Sequence, residues 1–317
     1  MLDRFVGRKA PDGNGHVPAS ADLIVTADAI AGERPSAWQA VQLARELKRP
    51  HALDFMSRVF DRFSEIHGDR LFRDDPAIVG AIAELDGRPV MVVAQQKGAS
   101  TEENIVRNFG MPYPEGYRKA VRLYRMAEKF HLPLVTFVDT PGAYPGPEAE
   151  ERGQAEAIAR AIAALVRLST PVVAVILGEG GSGGALALAV GDVVLALQNA
   201  IYSVISPEGC AAILWRSSSE AERAAGALKL AAPDLLELGI VDALVPEPAG
   251  GAHTDHDAAA ASVRAALRSE LERLGRIPIA DLLSARYERF RSIGVVNEPE
   301  PPTPALPVRP WWKRVVP

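Results

Sequence analysis

One cysteine, Cys210, stands among 317 residues, which excludes an internal disulfide framework and any zinc site built from the chain's own thiolates. That scarcity fits a reducing compartment. The histidines are His16, His51, His67, His131, His253 and His256, and none forms an HExxH pair or sits in a metal-type acidic cluster. No metal site is expected in this chain. Neither charge sign dominates: 35 Lys+Arg against 40 Asp+Glu leave a net charge of −5, with no overall attraction to nucleic acid or anionic lipid. An anionic ligand would need a local basic patch. Long hydrophobic runs are missing too, since the longest, from Ala185 to Val190 and on to Leu197, is broken by Gly191 and Asp192. The first twenty residues hold charges but no apolar stretch of a signal peptide, so the sequence predicts a cytoplasmic protein with no membrane span.

What is present is the composition of a globular protein: 48% apolar and 24% charged residues, with 26 Gly and 25 Pro. Residues 1–35 read as an irregular segment, 36–293 as the folded domain, and 294–317 as a Pro-rich tail. The tail holds seven prolines from Asn297 onward and the pair Trp311 and Trp312. Within the domain, Ser36 and Asp54 are candidate caps of two short helices, and two apolar runs around Asp86-Gly87 predict a tight hairpin. Strands at 134–139, 171–177, 193–197, 201–205 and 241–245 alternate with helices at 115–130, 150–168, 183–190, after Pro207, and at 257–274. That alternation predicts an α/β fold with a largely parallel sheet.

The segment Gly178-Glu179-Gly180-Gly181-Ser182-Gly183-Gly184 follows a buried strand and opens a helix, so its N–H groups point at something the helix does not satisfy. Three motifs run through it. Gly178-x-Gly180-x-x-Gly183 matches a dinucleotide fingerprint, but the turn lies deep in the chain, and residues 198–202 offer no carboxylate for a ribose. Gly180-x-Ser182-x-Gly184 matches a hydrolase nucleophile elbow, for which Asp242 with His253 or His256 would complete a triad. The third reading needs no side-chain catalyst: adjacent N–H groups of Gly183 and Gly184 form an oxyanion hole. Glycines that only let a helix approach a strand remain the plain structural alternative.

Longer blocks bear on this choice. RPHALDF (49–55), HGDR (67–70), DDPAIVG (74–80), NFGMP (108–112), EGYRKA (115–120), DTPGAYPG (139–146), EERGQAEAIA (150–159), GEGGSGGALA (178–187), YSVISPEGCAAILW (202–215) and PEPAGGAH (246–253) run in one register. Over residues 36–293 the chain resembles the α subunits of bacterial acetyl-CoA carboxylase carboxyltransferases. The resemblance implies a crotonase-like fold, a spiral of ββα units with flanking helices, and an α2β2 assembly with a carboxyltransferase β subunit that carries the zinc ribbon. It also implies transfer of a carboxyl group from carboxybiotin, held on a separate biotin carboxyl carrier protein, to acetyl-CoA, giving malonyl-CoA for fatty acid synthesis. A carboxyltransferase for another acyl-CoA, such as propionyl-CoA, and a non-catalytic scaffold are the alternatives.

Carried onto this chain, the resemblance assigns the oxyanion hole to the N–H groups of Gly183 and Gly184, with Gly180 and Gly181 shaping the turn. Candidate substrate contacts are Tyr144 and Pro145 after the strand ending at Asp139, and Ser206 and Pro207, with Glu208 beside them, before the next helix. These lie at ends of predicted parallel strands and serve equally well as turn and cap residues. The family's strongly basic stretch after the Lys-Gly pair is replaced here by Ala99, Ser100, Glu102, Asn104 and Val106. Lys97 and Arg107 remain as cations for phosphates of CoA or the carrier. Cys210, His67 and His253 read as structural residues.

Overall fold

The computed structural model describes residues 34–294; the expectations for the N-terminal 33 residues and for the Pro-rich tail with Trp311 and Trp312 lie outside them. The chain runs α1 (Ala37–Ala44), α2 (Ala52–Val59), β1 (Arg62–Glu65), β2 (Ile78–Leu85), β3 (Arg88–Gln95), α3 (Thr101–Val106), α4 (Pro114–Lys129) and β4 (Leu134–Thr140). It continues through α5 (Pro147–Glu151), α6 (Gln154–Val166), β5 (Val172–Gly181), α7 (Ser182–Ala189), β6 (Val193–Leu197), β7 (Ile201–Ser203) and α8 (Pro207–Trp215). The last elements are α9 (Ala221–Leu228), α10 (Ala232–Glu237), β8 (Ala243–Val245), α11 (His256–Leu274) and α12 (Ile279–Arg291).

Local chemistry explains most boundaries. Ser36 caps α1 in a capping box with Gln39, as its sequence predicts. Asp54 does not cap α2 from outside; it lies inside the first turn, and its carboxylate accepts the His51 N–H at 2.9 Å. The Asp86-Gly87 turn, with φ of 51° and 74°, joins β2 to β3 in the expected hairpin. The helix predicted over 150–168 is two helices, because Gly153 at φ 80° breaks the ladder between α5 and α6.

The strands form one sheet in the order β1-β2-β3-β4-β5-β6-β8, with β7 on the C-terminal end of β5. Pairing is antiparallel through β3 and parallel from there on. Every residue of β4 is buried, which requires cover on both faces of the sheet. The packed groups α4–α6–α7 and α2–α11 supply it. Buried ion pairs fasten the far helices to the sheet. Arg286 of α12 holds Asp192 at 2.6 Å and donates to the carbonyls of Leu165, Leu168 and Thr170, and Arg49 holds Glu247 at 2.7 Å.

Candidate active site: a glycine turn at the ends of two parallel strands

The glycine-rich segment is not a free turn from residue 178. Strand β5 continues through Gly181, pairing Thr140 of β4 with Gly180 on one side and β7 on the other, and the chain reverses only at Ser182. Gly180 and Gly181 therefore lie in extended backbone, and steric closeness rather than a positive φ explains them. A Cβ on Gly180 would lie 2.8 Å from the Tyr202 ring. One on Gly181 would run into the Pro141 carbonyl and approach Gly142 N to 2.9 Å. The left-handed residue is Ser182, at φ 55°. A left-handed residue followed by right-handed helical ones turns successive N–H groups toward a common point, the arrangement of an anion-binding nest. The N–H groups of the first turn of α7 have no acceptor in their own helix.

The two glycines after Ser182 differ. Gly184 is buried against the loop that leaves β4: a Cβ there would strike Ala143 N and come within 2.7 Å of Gly142 C and 2.9 Å of the Tyr117 hydroxyl. Its carbonyl accepts the Gln95 Nε2 donor at 2.7 Å. Gly183 has room, since a Cβ would meet only Ile158 Cγ2, at an ordinary 3.7 Å. Packing among the described residues does not demand glycine at 183. Gly183 lines an apolar cavity of about 330 Å³ together with Ser182, Leu186, Tyr202, Val204 and Phe290. Burial pushes the Tyr202 hydroxyl up to about 12, so it stays protonated there.

Beneath the turn, charged side chains from five segments interlock. Arg45 from the end of α1 binds Glu179 at 2.7 Å and Glu208 of α8 at 2.8 Å. Lys97, after β3, contacts Asp139 at 2.9 Å and Glu179 at 3.2 Å. Asp139 also meets His51 Nδ1 at 2.9 Å and accepts from the Glu179 N–H at 3.2 Å. Burial alone would raise Asp139 and lower Lys97; their mutual attraction outweighs it, holding Asp139 well below the usual carboxylate range and Lys97 above the usual ammonium range. The network ties the ends of β3, β4 and β5 together below the glycines.

This placement corrects several expectations. Lys97 is not a free cation for phosphates, because two carboxylates already use its charge. Arg107 is half-buried, donating to the Pro76 carbonyl at 3.0 Å, and the less basic stretch 101–106 is α3, capped by Ser100. Ser206 caps α8 through the Gly209 N–H, Pro207 is its buried first residue, and Glu208 belongs to the Arg45 network. Tyr144 directly follows the Gly142–Ala143 backbone that crowds Gly184, its ring 4.4 Å from that of Tyr113, and Pro145 is exposed beside it. The structure thus brings Gly180, Gly181, Gly183, Gly184 and the Tyr144 loop together, and leaves Ser206, Pro207 and Arg107 in structural positions. Sequence reading missed Gly142, Gln95 and Tyr117 as supports of the turn; the repeated glycines of DTPGAYPG were the available signal.

No Ser182–His–Asp242 relay is assembled among the described residues. Asp242 accepts from Arg289 and the Val194 N–H, and His256 Nε2 contacts the Lys48 carbonyl. His67 pairs with Asp74 at 3.0 Å, and Cys210 is buried in α8. Among the described residues, the buried His253 Nδ1 has no hydrogen-bond partner, where a hydrogen-bonded structural histidine is expected. Among the described residues no group of His, Cys, Asp and Glu could hold a metal ion, and no helix is long and apolar enough to cross a membrane.

Comparison with known proteins agrees with this geometry. Residues 29–294 match the family described as acetyl co-enzyme A carboxylase carboxyltransferase-like. The chain is 59% identical over 267 residues to the acetyl-coenzyme A carboxylase carboxyl transferase subunit alpha of Thermus thermophilus, covering 84% of each. It is 56% identical over 264 residues to that of Methylococcus capsulatus, covering 83% of this chain and 82% of the relative. Among solved structures, it resembles a Pseudomonas malonate decarboxylase hetero-dimer at a TM-score of 0.57 and 20% identity, over 81% of this chain and 96% of that one. The transcarboxylase 12S hexamer is similar at a TM-score of 0.56 and 20% identity, over 82% of this chain and 48% of that one. The fold is that of the crotonase-like carboxyltransferases. Within that class the chain belongs to the family of acetyl-CoA carboxylase carboxyltransferase α subunits, which are biotin-dependent.

Proposed function

We propose that this chain, paired with a carboxyltransferase β subunit in an α2β2 assembly, transfers the carboxyl group of carboxybiotin on a carrier protein to acetyl-CoA, giving malonyl-CoA. Cytoplasmic fatty acid synthesis is the setting in which that product is used. The observation that carries the reading is the asymmetry of the two glycines: packing requires Gly184, whereas Gly183 leaves space beside the first turn of α7, whose N–H groups have no acceptor in their own helix.

The residues present fit such a group. The cavity beside Gly183 is mostly apolar, which suits the thioether ring and alkyl chain of biotin, and Ser182 and Gly183 at the start of α7 contribute to its polar edge, together with Ser203 and Arg289. Carboxybiotin, when bound, supplies the carboxyl group and gathers negative charge on its ureido oxygen as that group departs. The N–H groups of Gly183 and Gly184 stabilise that charge, helped by the positive end of the α7 dipole. Gln95 holds the Gly184 carbonyl, and the Gly142–Ala143 backbone blocks movement of the turn from below. Apolar walls keep water from competing for the donors. Tyr144 and Pro145 stand on the adjoining loop as contacts for the incoming substrate, and the Lys97 network fixes the strand ends rather than touching ligand.

Malonyl-CoA-dependent carboxylation of biocytin, measured with this chain alone and with the β subunit, tests the reading. Activity is expected only for the pair and falls at least about tenfold on Gly183→Ala, whose methyl group crowds the donors, while assembly persists. A well-formed complex inactive with malonyl, methylmalonyl and longer derivatives would identify a scaffold instead.

A further inference from the structure

A second concave site shares no lining residue with the glycine-turn cavity. It has a volume of about 560 Å³ and lies between the loop after β1 and the outer sides of α4 and α6. Five arginines line it, Arg70, Arg118, Arg122, Arg125 and Arg160, against the carboxylates of Asp69 and Glu156. Both carboxylates are spent: Asp69 accepts from Arg118 at 2.9 Å and from the Leu71 and Phe72 N–H groups, and Glu156 pairs with Arg160 one turn along α6. Among the described residues, Arg70, Arg122 and Arg125 have no carboxylate within ion-pair distance.

The arrangement is built rather than incidental. Arg118, Arg122 and Arg125 share one face of α4, where like charges at this spacing repel. Arg122 is fixed by donating to the Gly68 carbonyl at 3.0 Å and the His67 carbonyl at 3.1 Å. The turn that offers those carbonyls holds Arg70 at φ 66°, a conformation non-glycine residues seldom adopt. Burial lowers the Arg122 pKa, and the like charge of Arg70 lowers it further, with Asp74 and Asp69 only partly offsetting them. The chain as a whole is acidic, so this concentration of positive charge is local. Guanidinium groups held in place with donors to spare are suited to phosphate oxygens. Three uncompensated charges match two linked phosphates better than one.

We infer that this cavity, formed by the β1–β2 loop with α4 and α6, is a binding site for a diphosphate group. The diphosphate of a free nucleotide and that of coenzyme A share this chemistry, with Leu71 and Val121 offering apolar wall to the organic part.

Calorimetric titration of the full chain with inorganic pyrophosphate, orthophosphate and sulfate at one ionic strength tests the site. One saturable pyrophosphate site is expected, bound at least about tenfold more tightly than orthophosphate, an advantage equivalent to about 1.4 kcal/mol. The double variant Arg70→Gly, Arg125→Ala should lose about tenfold in affinity while keeping its melting temperature, since both side chains are exposed and Gly suits φ 66°. The exposed Arg88→Ala should bind as the parent does. Competition by ADP assigns the diphosphate to free nucleotide, and competition by coenzyme A alone assigns it to the cosubstrate; both support the site. Equal affinity for sulfate, full binding by the double variant, or no binding would overturn it. Loss of binding when the β subunit is present would also overturn it, as the surface is then an interface.

Discussion

Alanine at Gly183 should leave the fold intact and still cost activity, whereas alanine one residue later should cost both. At Gly184 the added carbon falls 2.7 Å from Gly142 C and closer still to Ala143 N, and backbone atoms cannot rotate aside. Either α7 or the 142–143 loop must move, an overpacking cost of about 1–3 kcal/mol. For a domain of this size each kcal/mol lowers the melting temperature by about 2–4 °C. At Gly183 the only neighbour among the described residues that an added carbon would meet within 4 Å is Ile158 Cγ2 at 3.7 Å, and replacing a helical glycine by alanine gains about 0.5–1 kcal/mol. The melting temperature of Gly183→Ala should therefore stay level or rise slightly. Its methyl group, however, projects where the ligand must approach the donors. Displacing a ligand from one oxyanion donor costs up to about 10²–10³ in kcat, and a loss of at least about tenfold is expected here. Biocytin carboxylation and calorimetric melting on the same assembled samples give both readings. Gly183→Ala with full kcat would refute the argument, because the space beside Gly183 would then serve no ligand. A melting temperature lowered as far as that of Gly184→Ala would refute it from the other side.

Lys97→Met should destabilise the protein by about 3–5 kcal/mol in urea unfolding, because Asp139 and Glu179 are left buried without their shared cation; a loss below about 1 kcal/mol would show that the network is dispensable. Asp75 is pushed up to about 6 by burial, against the N–H groups of Ala77 and Tyr113 that favour its charged form. Its folded pKa is raised, so the stability it contributes is complete below pH 3.8 and lost as pH rises through about 6, a change of about 3 kcal/mol. The difference in unfolding free energy between the parent and Asp75→Asn should follow that window, and a flat difference would refute it. Asp74 has the opposite sign. Burial would raise it, but Lys119 and the Gly68 N–H hold it at about 2, so its contribution is present above pH 3.8 and lost as pH falls through about 2. Ser182→Gly should stabilise the fold by about 1 kcal/mol by relieving φ 55°, and Ser182→Ala should keep carboxyl transfer. Labelling of the native protein by a fluorophosphonate, abolished together with activity in Ser182→Ala, would revive the hydrolase reading.

Much of the fold was legible because its signals are local. The Asp86-Gly87 hairpin, the Ser36 cap and the buried strand runs follow from residues a few positions apart. Where local reading failed, a single backbone angle or a distant neighbour intervened. Gly153 at φ 80° splits one expected helix, and pairing with both β4 and β7 carries β5 four residues beyond the expected strand end, to Gly181. The candidate site shows the same division. Its glycines and its family likeness are written in GEGGSGGALA, yet Lys97 looks like a free cation until Asp139 and Glu179 are seen around it.

The amino-acid sequence by itself determined the α/β class, the glycine-rich helix start and the carboxyltransferase resemblance, all of which depend on composition, short-range period or linear motif. Tertiary structure decided which glycine is closely packed and which has space beside it, which cations are already neutralised, and that five arginines from three segments face one cavity. Those outcomes depend on contacts between residues tens to hundreds of positions apart. Such contacts arise only when the parallel strands have been placed side by side.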